Sequence, residues 1–114
     1  MKTVTCYRPT GPRELELVAA SGYKRWPSRL PEQPIFYPVT NEAYAIEVTR
    51  WNVAEVSLGY VTKFEVSEDF MARYPIQCVG DEHHTEWWIP AEDLGELNDN
   101  IVGQIEVIGE YRKN

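Results

Sequence analysis

The alternation of Val4, Cys6 and Arg8 with Thr5 and Tyr7 predicts a first strand over residues 4–8. Pro9-Thr10-Gly11-Pro12 stops it and opens a helix, with Thr10 as the cap and Pro12 in the first turn. Leu15, Val18 and Ala19 form the buried stripe of that helix, and Gly22 supplies its left-handed end. Residues 23–34 are rich in proline and lack periodicity, the pattern of a long, stiff loop of the kind that often carries function. A short apolar strand over 34–37 and a Thr40-capped helix over 41–51 come next. That helix is apolar on several sides and is expected to be well buried. Residues 59–66 alternate cleanly and read as a half-buried strand. Beyond it the pattern gives a helical turn capped by Ser67, a strand over 75–79, a polar turn over 80–84 and a strand over 85–89 closed by Pro90. A helix over 91–97 with Leu94 and Leu97 inward and a strand over 104–108 complete the chain. Strand, helix, strand, helix and then mainly strands is an α+β order, with a mixed or antiparallel sheet flanked by helices.

At 114 residues the chain is expected to form one domain, 1–114, large enough to bury a core without staples. It has 11 Lys and Arg against 18 Asp and Glu, a net charge of −7, which argues against binding a nucleic-acid backbone or an anionic membrane. No apolar run reaches the ~20 residues of a membrane span, and the start of the chain lacks the pattern of a secretion signal. The expected location is the cytoplasm. Cys6 and Cys78 match no metal or redox spacing and are expected to be two buried free thiols.

Against the acidic background, Lys24-Arg25-Trp26-Pro27-Ser28-Arg29 places three cations in six residues, a loop able to hold one small anion. Arg8, near the end of the first strand, carries a guanidinium suited to clamping a phosphate or ribose. Phe36 and Tyr37 close a short apolar strand, and Tyr37 offers a flat ring to a planar heterocycle. Glu86 stands inside a strand beside Trp87 and Trp88; alternation puts it on the face of Trp88, with Thr85, Trp87 and Ile89 on the other. A carboxylate in such a dry setting needs a partner or a purpose. The run Asp81-Glu82-His83-His84 matches no zinc spacing, and adjacent histidines in extended chain point to opposite sides; it reads as a solvated turn without a metal. Nucleotide-cradling glycine loops and the hydrolase elbow are absent from the sequence.

The chain resembles a group of small bacterial proteins labelled ADP-ribosylation/crystallin proteins. The resemblance runs almost end to end. Its carriers are Tyr7-Arg8-Pro9 followed by Gly11-Pro12-x-Glu14-Leu15, then Leu30-Pro31-Glu32-Gln33-Pro34-Ile35-Phe36-Tyr37-Pro38, and Gly59-Tyr60-Val61-Thr62. Arg73-Tyr74-Pro75, Glu86-Trp87-Trp88-Ile89-Pro90-Ala91-Glu92 and Ile101-Val102-Gly103-x-Ile105-Glu106-Val107 continue it. More distantly, the layout resembles the ADP-ribosyltransferase superfamily, small split-sheet domains that bind NAD in a cleft. Arg8, then Phe36-Tyr37 before a helix, then Glu86 follow the order of its three motifs.

That resemblance implies NAD as a substrate. Arg8 and Arg29 would meet its phosphates or ribose, Phe36 and Tyr37 would lie at the nicotinamide, and Glu86 would stabilise the oxocarbenium as ADP-ribose passes to an acceptor. Pro38 and Val39 replace the Ser-Thr-Ser run of the toxin branch, and His84 stands two before the glutamate where an acceptor-activating Glu or Gln is usual. The alternative expectation is a catalytically inactive acidic binding or inhibitor protein, of the immunity or anti-defence type, acting on a protein partner.

Overall fold

The computed structural model describes residues 2–113. In chain order the elements are β1 (Thr3–Thr10), α1 (Pro12–Ala20), β2 (Ile35–Phe36), α2 (Glu42–Val56), β3 (Leu58–Ser67) and α3 (Glu68–Met71). They continue with β4 (Ile76–Cys78), β5 (Thr85–Trp87), β6 (Ile89–Pro90), α4 (Leu94–Asp99) and β7 (Ile101–Arg112), with a 3-10 turn over Ala91–Asp93 before α4. This is an α+β fold of small antiparallel sheets and short helices.

The largest sheet has the order β1-β3-β7, antiparallel throughout, with Cys6 opposite Phe64 and Val66 opposite Ile101. β2 pairs with β6 and β4 with β5, again antiparallel. Among the described residues every strand pairing is antiparallel, so the mixed sheet left open by the sequence does not form. One residue stitches the pieces together. Val39 exchanges backbone hydrogen bonds with Tyr7 (2.9 and 2.7 Å) and bridges on its other side to Glu86. The β4–β5 hairpin thereby extends the sheet beyond β1.

The sheet has an apolar cluster on each face. One cluster gathers Cys6, Val18, Trp26, Phe36, Phe64, Phe70, Trp87 and Ile89, and reaches Leu97 and Ile105 late in the chain. The other is smaller and packs Val39, Tyr44, Ala45 and Val61 under α2. α2 sits very close to β3 here. A Cβ on Gly59 would lie 2.9 Å from the Thr49 methyl and 3.2 Å from a Val53 methyl, so glycine permits the approach.

Several local expectations are corrected. Thr10 belongs to β1, where its hydroxyl bonds the Arg8 carbonyl (3.2 Å) and the Thr62 hydroxyl (3.1 Å); Gly11 is the residue before α1 and gives no side-chain cap. The cap of α2 is Asn41, whose Oδ1 accepts from the Tyr44 amide at 2.8 Å, while Thr40 turns to the Thr85 hydroxyl instead. α2 also runs further than expected and buries one stripe, Ala45, Thr49 and Val53, with Trp51 58% exposed. Cys6 is buried, and burial pushes its thiol far above the ordinary range; Cys78 is exposed, against the expectation of two buried thiols. β7 is more than twice the predicted length. The end of α1 follows its sequence signal: Gly22 has φ +79°, its amide bonds the Ala19 carbonyl and the Tyr23 amide bonds that of Val18, a Schellman motif. No helix among the described residues is long and apolar enough to cross a membrane.

Candidate functional site

Alternation along β1 turns Cys6, Arg8 and Thr10 toward the larger apolar cluster. Arg8 is 8% exposed. Its guanidinium makes a two-pronged contact with Glu14 in the first turn of α1: Nε donates to Oε1 at 3.0 Å and Nη2 to Oε2 at 3.1 Å. Nη1 donates to the Tyr37 carbonyl at 3.4 Å. The cation lies 4.3 Å above the Phe36 ring and 5.6 Å from that of Trp26. Proximity of Arg8 and Glu14 follows from the tight connection between β1 and α1, the single residue Gly11.

Arg29 arrives at the same place from the proline-rich loop. Its side chain is 13% exposed; Nη1 lies 4.0 Å from Glu14 Oε1 and Nη2 donates to the Ile35 carbonyl at 3.2 Å. The cation lies 5.7 Å from the Phe36 ring. Its Nε is buried and has no hydrogen-bond partner. Burial first, and then the neighbouring Arg8, lower its pKa from the ordinary arginine value, while Glu14 and Tyr37 act the other way. A buried guanidinium, Arg8, and a part-buried one, Arg29, thus share one carboxylate. They border a cavity of about 420 Å³ whose other walls include Arg13, Leu17, Ser28 and Gln33. Of the remaining loop cations, Arg25 is half exposed and pairs with Asp99 at 2.9 Å beside a larger cavity of about 730 Å³. That arrangement leaves no buried charge without a counter-ion at Arg25.

Glu86 lies elsewhere. Tyr7, Val39 and Glu86 are successive lateral neighbours across the sheet, and residues paired in this way share a face. Arg8, next to Tyr7, therefore points to the opposite face from Glu86. Glu86 is 9% exposed and held by two neutral donors: the Tyr44 hydroxyl reaches Oε1 at 2.8 Å and the Trp88 indole N–H reaches Oε2 at 2.7 Å. Burial, together with the Glu86 hydrogen bond and charge, pushes the Tyr44 phenol up to about 12. The structure therefore brings together Arg8, Arg29, Phe36 and the Tyr37 backbone, and separates Glu86 from them by the thickness of the sheet. The Tyr37 side chain is 43% exposed and does not line the cavity.

Two residues of these clusters were not among the candidate site residues read from the sequence. Glu14 is an unremarkable helical carboxylate until Arg8 and Arg29 are seen to share it. Glu47, on α2, receives the Nε2 atoms of both His83 and His84 on one oxygen, each at 2.7 Å. The two rings do not diverge as extended chain requires, because residues 80–84 form the exposed polar turn expected from the sequence, with His84 partly covered. No family model, curated protein or solved structure matches the chain.

Proposed function

We propose that the protein binds a small phosphorylated ligand of the ADP-ribose or NAD class at Arg29, and does not use Glu86 to cleave it. One observation carries this reading: Arg8 and Arg29 lie over Phe36 with a single carboxylate between them, so the part-buried Arg29 borders a cavity with a positive charge that Glu14, already paired with Arg8, does not fully neutralise. An uncompensated buried cation is costly, and an anion in the cavity removes the cost. The fork of Arg8 is already committed to Glu14. Its work is to hold that carboxylate and the floor of the site, while Arg29 Nη1, 4.0 Å from Glu14 and beyond hydrogen-bond distance, is the donor left for an incoming phosphate oxygen. At about 420 Å³ the cavity lies near the small end of the ~300–1,000 Å³ range of ligand pockets, room for one phosphorylated half of a dinucleotide. The nucleotide identity rests on the resemblance, in which Arg8, Arg29, Phe36 and Tyr37 are the NAD-contacting positions. An ADP-ribosyltransfer role for Glu86 would require it in the same cleft.

Calorimetric titration with pyrophosphate, ADP-ribose and NAD tests the proposal. Wild-type protein is expected to bind at least one of them. Arg29→Met should weaken binding about 10- to 100-fold, the loss of one or two charged hydrogen bonds, and Glu86→Gln should bind as wild type. Absence of binding to all three overturns the proposal. Release of nicotinamide from NAD by wild type but not by Glu86→Gln would replace it with the transferase reading. A second reading, an acidic module for a basic protein partner, is favoured by Trp51 and Trp88, 58% and 43% exposed on the Glu86 side of the sheet.

A further inference from the structure

The Glu47–His83–His84 cluster lies on the α2 side of the sheet, away from the arginine cavity. We propose that it binds one transition-metal dication of the zinc class, with three protein ligands and a fourth position open to solvent. Glu47 comes from the middle of α2, and the histidines from the β4–β5 turn. Their ligand atoms all lie within 4.8 Å of one another, and both imidazole Nε2 atoms already point at the same carboxylate oxygen. Tetrahedral ligands at zinc distances of 2.0–2.2 Å stand roughly 3.3 Å apart. Each 2.7 Å contact therefore needs to open by about half an ångström to admit the ion, a movement within reach of the long, 41% exposed Glu47 side chain. Two imidazoles and a carboxylate are a borderline donor set that suits zinc and its first-row neighbours over calcium or magnesium. Asp81 and Glu82 precede the histidines in sequence and add negative charge to a chain already at −7, which favours a dication.

The ligands are held from behind, as metal ligands are. The Asn41 side-chain amide donates to the His83 carbonyl at 2.7 Å, tying the turn to the start of α2. The His84 ring stacks on Tyr44 with centroids 4.6 Å apart. Gly80 leaves the space behind that ring, since a Cβ there would come within 2.5 Å of His84 Nδ1. Nδ1 itself accepts from the Asp81 amide at 3.2 Å, so in the metal-free state the ring proton resides on Nε2 and faces Glu47. A metal at Nε2 moves that proton to Nδ1, and the Asp81 amide must then turn away. This gives the site a signature that zinc elsewhere on the surface would not produce.

The test is titration of untagged, chelator-stripped full chain with zinc chloride, read by calorimetry and by amide chemical shifts, together with cobalt(II) absorption. The expected result is saturable binding of one zinc per chain, a shift of the Asp81 amide, and the intense visible bands of four-coordinate cobalt. His83→Ala and Glu47→Gln should each weaken binding at least tenfold; both positions are about 40% exposed, so these variants keep the fold. Cys78→Ser should bind as wild type. No saturable site in wild type, binding unchanged in both His83→Ala and Glu47→Gln, or binding lost in Cys78→Ser overturns the proposal.

Discussion

At the scale of single residues, environment decides chemistry that residue type leaves open. Cys6 is fully buried opposite Phe64, with Glu65 adding like charge, and its thiol is held protonated far above the ordinary range; Cys78 sits exposed at the end of β4. Only a thiolate reacts readily, and only where reagent reaches it. An aromatic disulfide reagent at neutral pH is therefore expected to titrate one thiol per native chain and two after unfolding, and Cys78→Ser should abolish the native reaction. Two fast thiols in the native state would show that the core around Cys6 opens. Arg8 and Glu86 make the same point in opposite ways. Both read from the sequence as candidates for ligand contact. One is neutralised by Glu14 and the other is satisfied by two neutral donors; Glu14 and Tyr44 were not legible because each comes from a different element, whereas alternation already puts Trp88 on the face of Glu86.

At the scale of elements, punctuation was the most readable part of the chain. Gly22 as a left-handed end, Pro12 in a first turn and the alternation of β3 all act through the backbone of a few neighbouring residues, so local sequence is enough to place them. Competition for a side chain is where local reading fails. Thr40 and Asn41 are both good caps for α2; the Thr40 hydroxyl is taken by Thr85 across the sheet, so Asn41 caps. Asn41→Ala is expected to cost about 1 kcal/mol in chemical denaturation, within the usual range for a cap, whereas Thr40→Val should leave the cap intact. A larger loss for Thr40→Val than for Asn41→Ala would contradict this assignment. Asn41 also holds the His83 carbonyl, so its loss should loosen the β4–β5 turn as well.

At the scale of the whole molecule, contacts between remote segments carry the pH dependence. The Tyr74 hydroxyl, after α3, donates to Asp93 Oδ2 at 2.7 Å in the turn before α4, and burial followed by that hydrogen bond pushes the phenol up to about 12. A raised phenol pKa favours the protonated form in the native state. Its contribution is complete below the ordinary value near 10 and disappears as pH rises from there through about 12. The melting temperature of wild type should accordingly exceed that of Tyr74→Phe below pH 10, by the equivalent of about 1.5 kcal/mol, and the two should converge toward pH 12. A difference that stays constant across this interval would place the effect in packing alone.

The sequence by itself determined the α+β class, the main strand and helix order and the acidic charge. These depend on periodicity, backbone preference and side-chain type, all properties of neighbours in the chain. Tertiary structure alone decided who shares a face. Val39 stitches β1 to β5 in a register that sends Arg8 and Glu86 to opposite sides of one sheet. The same fold brings Glu14 between two arginines and Glu47 to two histidines. Sheet register reverses the direction of a side chain with a slip of one residue, and that register is set here by two bridges, Tyr7 to Val39 and Val39 to Glu86, each between residues far apart in the chain.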